Sequence, residues 1–409
     1  MGTAAADKSC LARALLHRAG AVNMPGSIER GSTVSDHDPL ERRMQHSLTA
    51  SVMHLHSAGT RVHLIDTPAG ADFLGHSLPA LEAVETAAVL INAAVGIEPM
   101  TLRMRAYAGS RHLDRLIVVN RIDATPEKLP ALLAQIRETF GRECLPLNLP
   151  DVGGTRVVDC FYNRSGPADF KSALGSVADA HRALVEQVVE VDGDFVERYL
   201  ADGDIDAAEL HAPLEHALRE GQLIPVCFVS ARTGAEVAEL LDIIVRLLPN
   251  PLEANPPDFI HGEGAEAQPR HTWPDAALQV LAHVFKVAFD RYVGSLGAMR
   301  VHQGTVRAGS LVFTGHGHKP FKVAHLSCCR ARNPWRCSRP CRATSWPRPR
   351  SMRSTPTPCC TTPRKTNTSI CCRWTFRCRC TAWPSRPSAM ATSSGCGKSS
   401  PSWRTKTRA

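Results

Sequence analysis

The stretch GTAAADKSCL, residues 2–11, follows the spacing G-x-x-x-x-G-K-[ST] with one exception. In that pattern backbone N–H groups wrap phosphate oxygens, the lysine reaches the outer phosphates and the hydroxyl ligates Mg²⁺. Gly2, Lys8 and Ser9 fit, but Asp7 stands where the second glycine belongs. The exchange costs twice. It places a side chain where the backbone often needs glycine's freedom. It also puts a carboxylate beside the phosphates, with repulsion on the order of 4 kcal/mol at about 4 Å and an effective dielectric near 20. No strand is read ahead of this loop, so phosphate affinity is expected to suffer.

Downstream, β-like apolar runs alternate with helical periodicity, the pattern of a parallel sheet with crossover helices. TRVHLIDTPAG (60–70) reads as a strand, LPALEAVETA (78–87) as helical and AVLINAAVG (88–96) as a strand. TLRMRAYAGS (101–110) is helical, DRLIVVNRID (114–123) a strand, and LPALLAQIRETFG (129–141) helical. LIPVCFVSA (223–231) is a buried strand before a helix that Pro249 stops. The expected fold class is α/β: a doubly wound P-loop sheet over residues 1–250 with a small α/β insert at about 144–222. A Pro/Gly-rich linker (251–274) leads to a partial β-barrel (275–326), and a basic tail (327–409) follows.

Three strand ends carry the remaining chemistry. Asp66, at the end of VHLID, is placed where a doubly wound sheet binds its ligands, and it would hold Mg²⁺ through water. In VVNRID, Asp123 can accept both the ring N–H and the exocyclic amine of guanine, a bidentate match that adenine lacks. Asn120 would tie neighbouring loops together, and Arg121 could lay its stem on the base. In FVSARTG, the Ala231 N–H would meet the guanine O6 while Ser230 braces the loop. A second GKS at 397–399 has Thr392 in place of the first glycine and no preceding strand, and reads as a decoy.

Taken in order, GTAAADKS, STVSDHDPLERRMQHSL, DTPAGADF, NRID, the insert, SARTG and the YVGSLGAMRVHQGTVRAGSLVF segment resemble the translational GTPases. Within them the match is to elongation factor G and the elongation factor G-like branch. The resemblance implies GTP or GDP with Mg²⁺ as cofactors, the ribosome as partner and a monomeric, cytoplasmic GTPase. It assigns phosphate contacts to Lys8, Mg²⁺ contacts to Ser9 and Asp66, guanine contacts to Asn120 and Asp123, and the base loop to Ser230 with Ala231. The switch threonine corresponds to Ser47. Ala69 replaces the turn glycine that senses the γ-phosphate. Gly70 occupies the position of the histidine that orients the attacking water, so no catalytic residue is expected there and turnover should be weak or absent.

The net charge of +9 hides two different compositions. Residues 327–409 hold 18 Lys and Arg with no Asp, Glu or His, and removing them leaves −9 on residues 1–326. Of 15 cysteines only Cys10, Cys144, Cys160 and Cys227 precede the tail, which suits a cytosolic body. No apolar run reaches the roughly 18 residues of a membrane span. The tail can be read as an RNA-binding arm. Its cysteine spacings match no paired metal motif. Read one base late, however, it regains acidic residues, alternation and a Gly turn, and the fixed codons of Trp346, Met352 and Trp383 agree, so it is expected to be out of frame and disordered. The alternatives to a GTPase are a non-catalytic decayed or regulatory fragment and an RNA-binding protein acting through this tail.

Overall fold

The run Leu116–Val119 is apolar on both faces of a strand, and it forms the middle of a four-stranded parallel sheet in the computed structural model. The structure describes residues 1–24, 26, 39–202, 205, 209–234, 236–255, 259–261, 268–290, 294–313, 320–324, 326–328, 335–336, 341–342 and 371–376. The helices are α1 (Lys8–Arg18), α2 (Pro39–Met44), α3 (Leu74–Ser77), α4 (Pro99–Ser110), α5 (Leu129–Phe140), α6 (Val177–Val189), α7 (Gly193–Asp202), α8 (His211–Arg219) and α9 (Val237–Arg246). Strands β1 (Ser51–Ser57) and β2 (Thr60–Asp66) precede β3 (Thr86–Asn92), β4 (Asp114–Asn120), β5 (Cys144–Pro146), β6 (Asn148–Pro150), β7 (Val157–Asp159) and β8 (Ile224–Val229).

The sheet order is β3-β4-β8-β5, all parallel. Alternation along β4 and β8 sends side chains to two separate cores. Leu116, Val118, Cys227 and Val229 pack with Leu11, Leu15 and Leu16 of α1 and with residues of α6, α8 and α9. Ile117, Val119, Val226 and Phe228 pack with Leu129, Leu132, Leu133, Ile136 and Phe140 of α5 on the other face. Helices on both faces of a parallel sheet make the doubly wound α/β class.

Three sequence expectations need correction. The LPALEAVETA stretch is a short 3₁₀ helix (Leu78–Ala83), with Pro79 in its first turn, and β3 already begins at Thr86. Residues 144–146, assigned to the insert, are the edge strand of the central sheet, and the β6–β7 ribbon follows them. The strand read at 60–70 pairs antiparallel with β1, and this ribbon is not hydrogen-bonded to the central sheet among the described residues. The N-terminus instead meets the central sheet at β3, where Gly2 forms a single parallel bridge with Leu90 and the Leu90 N–H donates to the Met1 carbonyl at 2.8 Å. Met53 and Leu55 still bury the ribbon against the α1-side core.

That bridge makes Gly2 hard to replace. At φ +147° an added Cβ would lie 2.6 Å from the Leu90 carbonyl oxygen, a backbone atom that cannot swing aside. Gly2→Ala is expected to destabilise the chain by about 2 kcal/mol, read as a lower urea midpoint with an unchanged slope.

In the second region, β9 (Phe259–His261) and β10 (Gln268–Arg270) form a small hairpin inside the expected linker. Strands β11 (Leu281–Asp290) and β12 (Gly294–Gln303) make a long antiparallel hairpin in the region expected to form the barrel. It docks on the first region through Phe285 and Ala298, which pack with Ala83, Val52 and Ile65. An ion pair between Arg300 and Glu85 lies beside this contact. Most of the tail, including the second GKS, lies outside the described residues. Where the tail is described, Cys371–Phe376 pairs antiparallel with β12 and with Leu326–Cys328.

Candidate functional site

The C-terminal ends of β3, β4 and β8 converge on the loop between Gly2 and α1. Asn92 Nδ2 donates to the Ala5 carbonyl at 2.7 Å, and Asn120 Nδ2 donates to the Ala6 carbonyl at 3.0 Å. Lys8 is buried and folds back to donate from Nζ to the Thr3 carbonyl at 2.9 Å. Burial pushes its ammonium below the ordinary lysine value, while the carboxylates of Asp66, Asp7 and Glu98 oppose that change. Three side-chain anchors, on Thr3, Ala5 and Ala6, hold the loop closed around a 3₁₀ turn, Ala4–Ala6.

Asp7 follows this turn in the left-handed region at φ 53° and ψ 40°. That conformation costs a non-glycine residue about 1 kcal/mol, less for Asp than for most. Its carboxylate lies 3.7 Å from Arg121 Nε, with both side chains about one-third exposed. Arg121 itself sits at φ 64°. The stem expected to lie on a base thus also brings a cation to Asp7, although an exposed pair of this kind is worth at most about 1 kcal/mol.

The oxygen ligands expected for a metal come together. Ser9 Oγ donates to Asp66 Oδ2 at 2.5 Å and lies 3.5 Å from Ser47 Oγ. These positions are far apart in the chain, and the contact is made because α1 starts beside the end of β2. All three are hard oxygen donors, which suits Mg²⁺, an ion that takes few protein ligands and keeps water. The next hydroxyl, Thr67 Oγ1, is buried with no hydrogen-bond partner, and a water of the ion's hydration shell would satisfy it. The residues present therefore fit the ion. Ser9, Ser47 and Asp66 would hold it, and it would supply positive charge against the phosphates.

The loops expected to read the base are cross-braced. Asn120 Oδ1 accepts from the Arg121 N–H at 2.9 Å and from the Ala231 N–H at 3.0 Å. Asn120 is fully buried and so joins the phosphate loop to the loop after β8. The Ala231 N–H, expected to meet guanine O6, is engaged by Asn120 in this structure. Ser230 Oγ donates to Asp123 Oδ1 at 2.5 Å, which fixes the rotation of that carboxylate.

Gly70 lies in extended backbone at the start of the turn Ala71–Phe73. Here the Phe73 ring fills the nearby space: a Cβ on Gly70 would stand 3.0 Å from Phe73 Cδ2. Sequence reasoning missed Asn92 and Glu41. Asn92 ends a strand before a small-residue turn, a signal of the same kind as Asn120. Glu41 is a charged residue only 2% exposed, which no local pattern announces.

The same stretch of chain resembles known proteins. The family model described as elongation factor Tu GTP binding domain matches residues 1–250. The elongation factor G-like protein of Mycobacterium tuberculosis is 32% identical over 326 residues, covering 77% of this chain and 45% of that protein. Elongation factor G 1 of Syntrophomonas wolfei is 26% identical over 336 residues, covering 78% of this chain and 50% of its own length. A crystal structure from Thermus thermophilus superposes with a TM-score of 0.68 at 27% identity, covering 84% of this chain and 50% of that one. The chain thus spans about half the length of the curated relatives it matches. With the family match covering residues 1–250, the chain belongs to the translational GTPases.

Proposed function

We propose that this chain is a guanine nucleotide-binding protein of the elongation factor G type that binds Mg²⁺ with the nucleotide and hydrolyses GTP slowly or not at all. The convergence of Ser9, Ser47 and Asp66 at the mouth of the phosphate loop carries the reading. Gly2 and Lys8 shape the loop for the phosphates. Asn120, Asp123, Ser230 and Ala231 form the base pocket, with Asp123 reading guanine and Asn120 bracing it. The ribosome is the proposed partner, and among the described residues no helix is long and apolar enough to cross a membrane.

Two features support a disabled hydrolytic step. Gly70 offers no side chain to orient water, and Ala69 adds a methyl at the turn. General-base or water-positioning groups contribute roughly 10²–10⁴-fold in rate, so their loss leaves binding without useful turnover.

The test is a titration of the full chain with fluorescently labelled GDP, with and without Mg²⁺, followed by GTP turnover with and without ribosomes. Binding that requires Mg²⁺, weakens in Ser9→Ala and Asp123→Ala, and is accompanied by background turnover is the expected result. Ribosome-stimulated turnover at rates comparable to intact elongation factors would sink the claim of a disabled enzyme. Absence of GDP binding, even in Asp7→Gly, would sink the nucleotide reading and leave a non-catalytic scaffold.

A further inference from the structure

The segment that follows Ser47 is gripped from two sides by residues of opposite charge. Glu41 of α2 is buried, and its Oε1 accepts from the Leu48 N–H at 2.9 Å and the Thr49 N–H at 3.1 Å. From the barrel, Lys286 Nζ donates to Thr49 Oγ1 at 3.2 Å and to the buried Ala50 carbonyl at 2.5 Å. Four hydrogen bonds, all to charged groups, therefore hold three residues immediately after a proposed metal ligand. Such bonds are about twice as strong as neutral ones.

The reach of Lys286 depends on an irregularity in β11. Val284 is paired with Met299 and Lys286 with Ala298, so Phe285 is an extra residue in the ladder, a β-bulge. In a regular strand Phe285 and Lys286 would face opposite sides. The bulge lets both address the first region: Phe285 packs with Ala83, and Lys286 reaches Thr49 and Ala50. Bulges re-aim side chains in this way and recur next to functional sites.

We infer that Lys286 and Glu41 are positioning residues that hold Ser47 against Ser9 and Asp66, so that the barrel region is part of the Mg²⁺ site. The inference rests on the nucleotide reading above for the role of Ser47. The clamp itself stands on the four contacts. It joins two regions that also meet through apolar packing and the Arg300–Glu85 pair, and it means that metal affinity and barrel docking are coupled: loosening Lys286 frees Ser47, and a metal on Ser47 tightens the barrel.

The test uses the full chain and two readouts. Hydrogen exchange of the 47–50 segment is measured without nucleotide, and the Mg²⁺ concentration for half-maximal binding of labelled GTP is measured beside nucleotide affinity in EDTA. Lys286→Ala is expected to speed exchange of the Leu48 and Thr49 amides about tenfold and to raise the Mg²⁺ requirement about tenfold. Affinity in EDTA should stay unchanged, Lys286→Arg should restore both readouts, and in Ser47→Ala the Lys286 change should no longer alter the Mg²⁺ requirement. Unchanged exchange in Lys286→Ala overturns the clamp. Faster exchange with an unchanged Mg²⁺ requirement, or an effect that persists in full over Ser47→Ala, reduces Lys286 to a packing residue and also overturns the inference. If the wild-type chain and Asp7→Gly bind no guanine nucleotide, the functional reading fails, and with it the metal role, while the exchange result still decides the clamp.

Discussion

Asp7→Gly is expected to tighten GDP binding about 100-fold and to raise stability by about 1 kcal/mol. The first effect is electrostatic. A carboxylate about 4 Å from phosphate oxygens opposes them by on the order of 4 kcal/mol at an effective dielectric of about 20. Arg121, 3.7 Å away, offsets only part of this, because both side chains are partly exposed. Removing a net repulsion of roughly 2.7 kcal/mol corresponds to about two decades in affinity. The second effect is conformational. Asp7 is held at φ 53°, where glycine has no Cβ to strain. Isothermal titration with GDP and thermal unfolding of the same two proteins separate the effects. An unchanged GDP affinity would mean that the Asp7 carboxylate does not face the phosphates. Because Arg121 would lose its partner in this variant, salt should weaken the difference between the two proteins.

Asp114→Asn is expected to stabilise the chain at pH 8 and to do nothing at pH 4. Asp114 opens β4 at the end of the sheet opposite the phosphate loop, is 1% exposed, and neither carboxylate oxygen has a hydrogen-bond partner. Burial, reinforced by Glu85, pushes its carboxyl up to about 7, against the opposing pull of Arg219 and Arg115. The native state therefore holds a proton that the unfolded chain releases near pH 3.8. For a carboxyl raised in this direction, the native state is unpenalised below the unfolded value. It loses stability as pH rises from about 4 to about 7, and the loss is complete above that. At about 1.4 kcal/mol per pH unit the full difference is about 4 kcal/mol. Asparagine keeps the shape and removes the charge. Comparing the two proteins by urea unfolding at pH 4, 6 and 8 isolates this group, and a gain that is equal at all three pH values would point to packing instead of protonation.

Much of the candidate site is proposed from motifs that are local. The order of phosphate loop, Asp66, Asn120 with Asp123, and Ser230 with Ala231 needs only residue spacing and strand-end placement, and periodicity located β4, α5, β8 and α9. Errors occurred where local pattern and tertiary context disagree. LPALEAVETA carries a helical pattern, yet Pro79 and the early start of β3 leave it room for only a 3₁₀ helix. Cys144–Pro146 is too short to announce itself, and becomes a strand only because β8 offers an edge.

The class of the sheet, an aspartate at position 7 of the loop, the bare backbone of Gly70, and the opposite charge of body and tail can all be read from the chain alone. They follow from the identity and spacing of residues, which need no partner to be read. Which groups meet is a matter of packing. Ser9 reaches Asp66 across 57 positions, Asn120 reaches Ala231 across 111, and Lys286 reaches Ala50 across 236. Contacts at such separations depend on how sheet, ribbon and the β11–β12 hairpin pack, and on one extra residue in β11 that turns Lys286 toward the Ser47 segment. A single bulge, or a single bridge at Gly2, redirects such contacts while leaving every local pattern intact, which is why packing had to supply them.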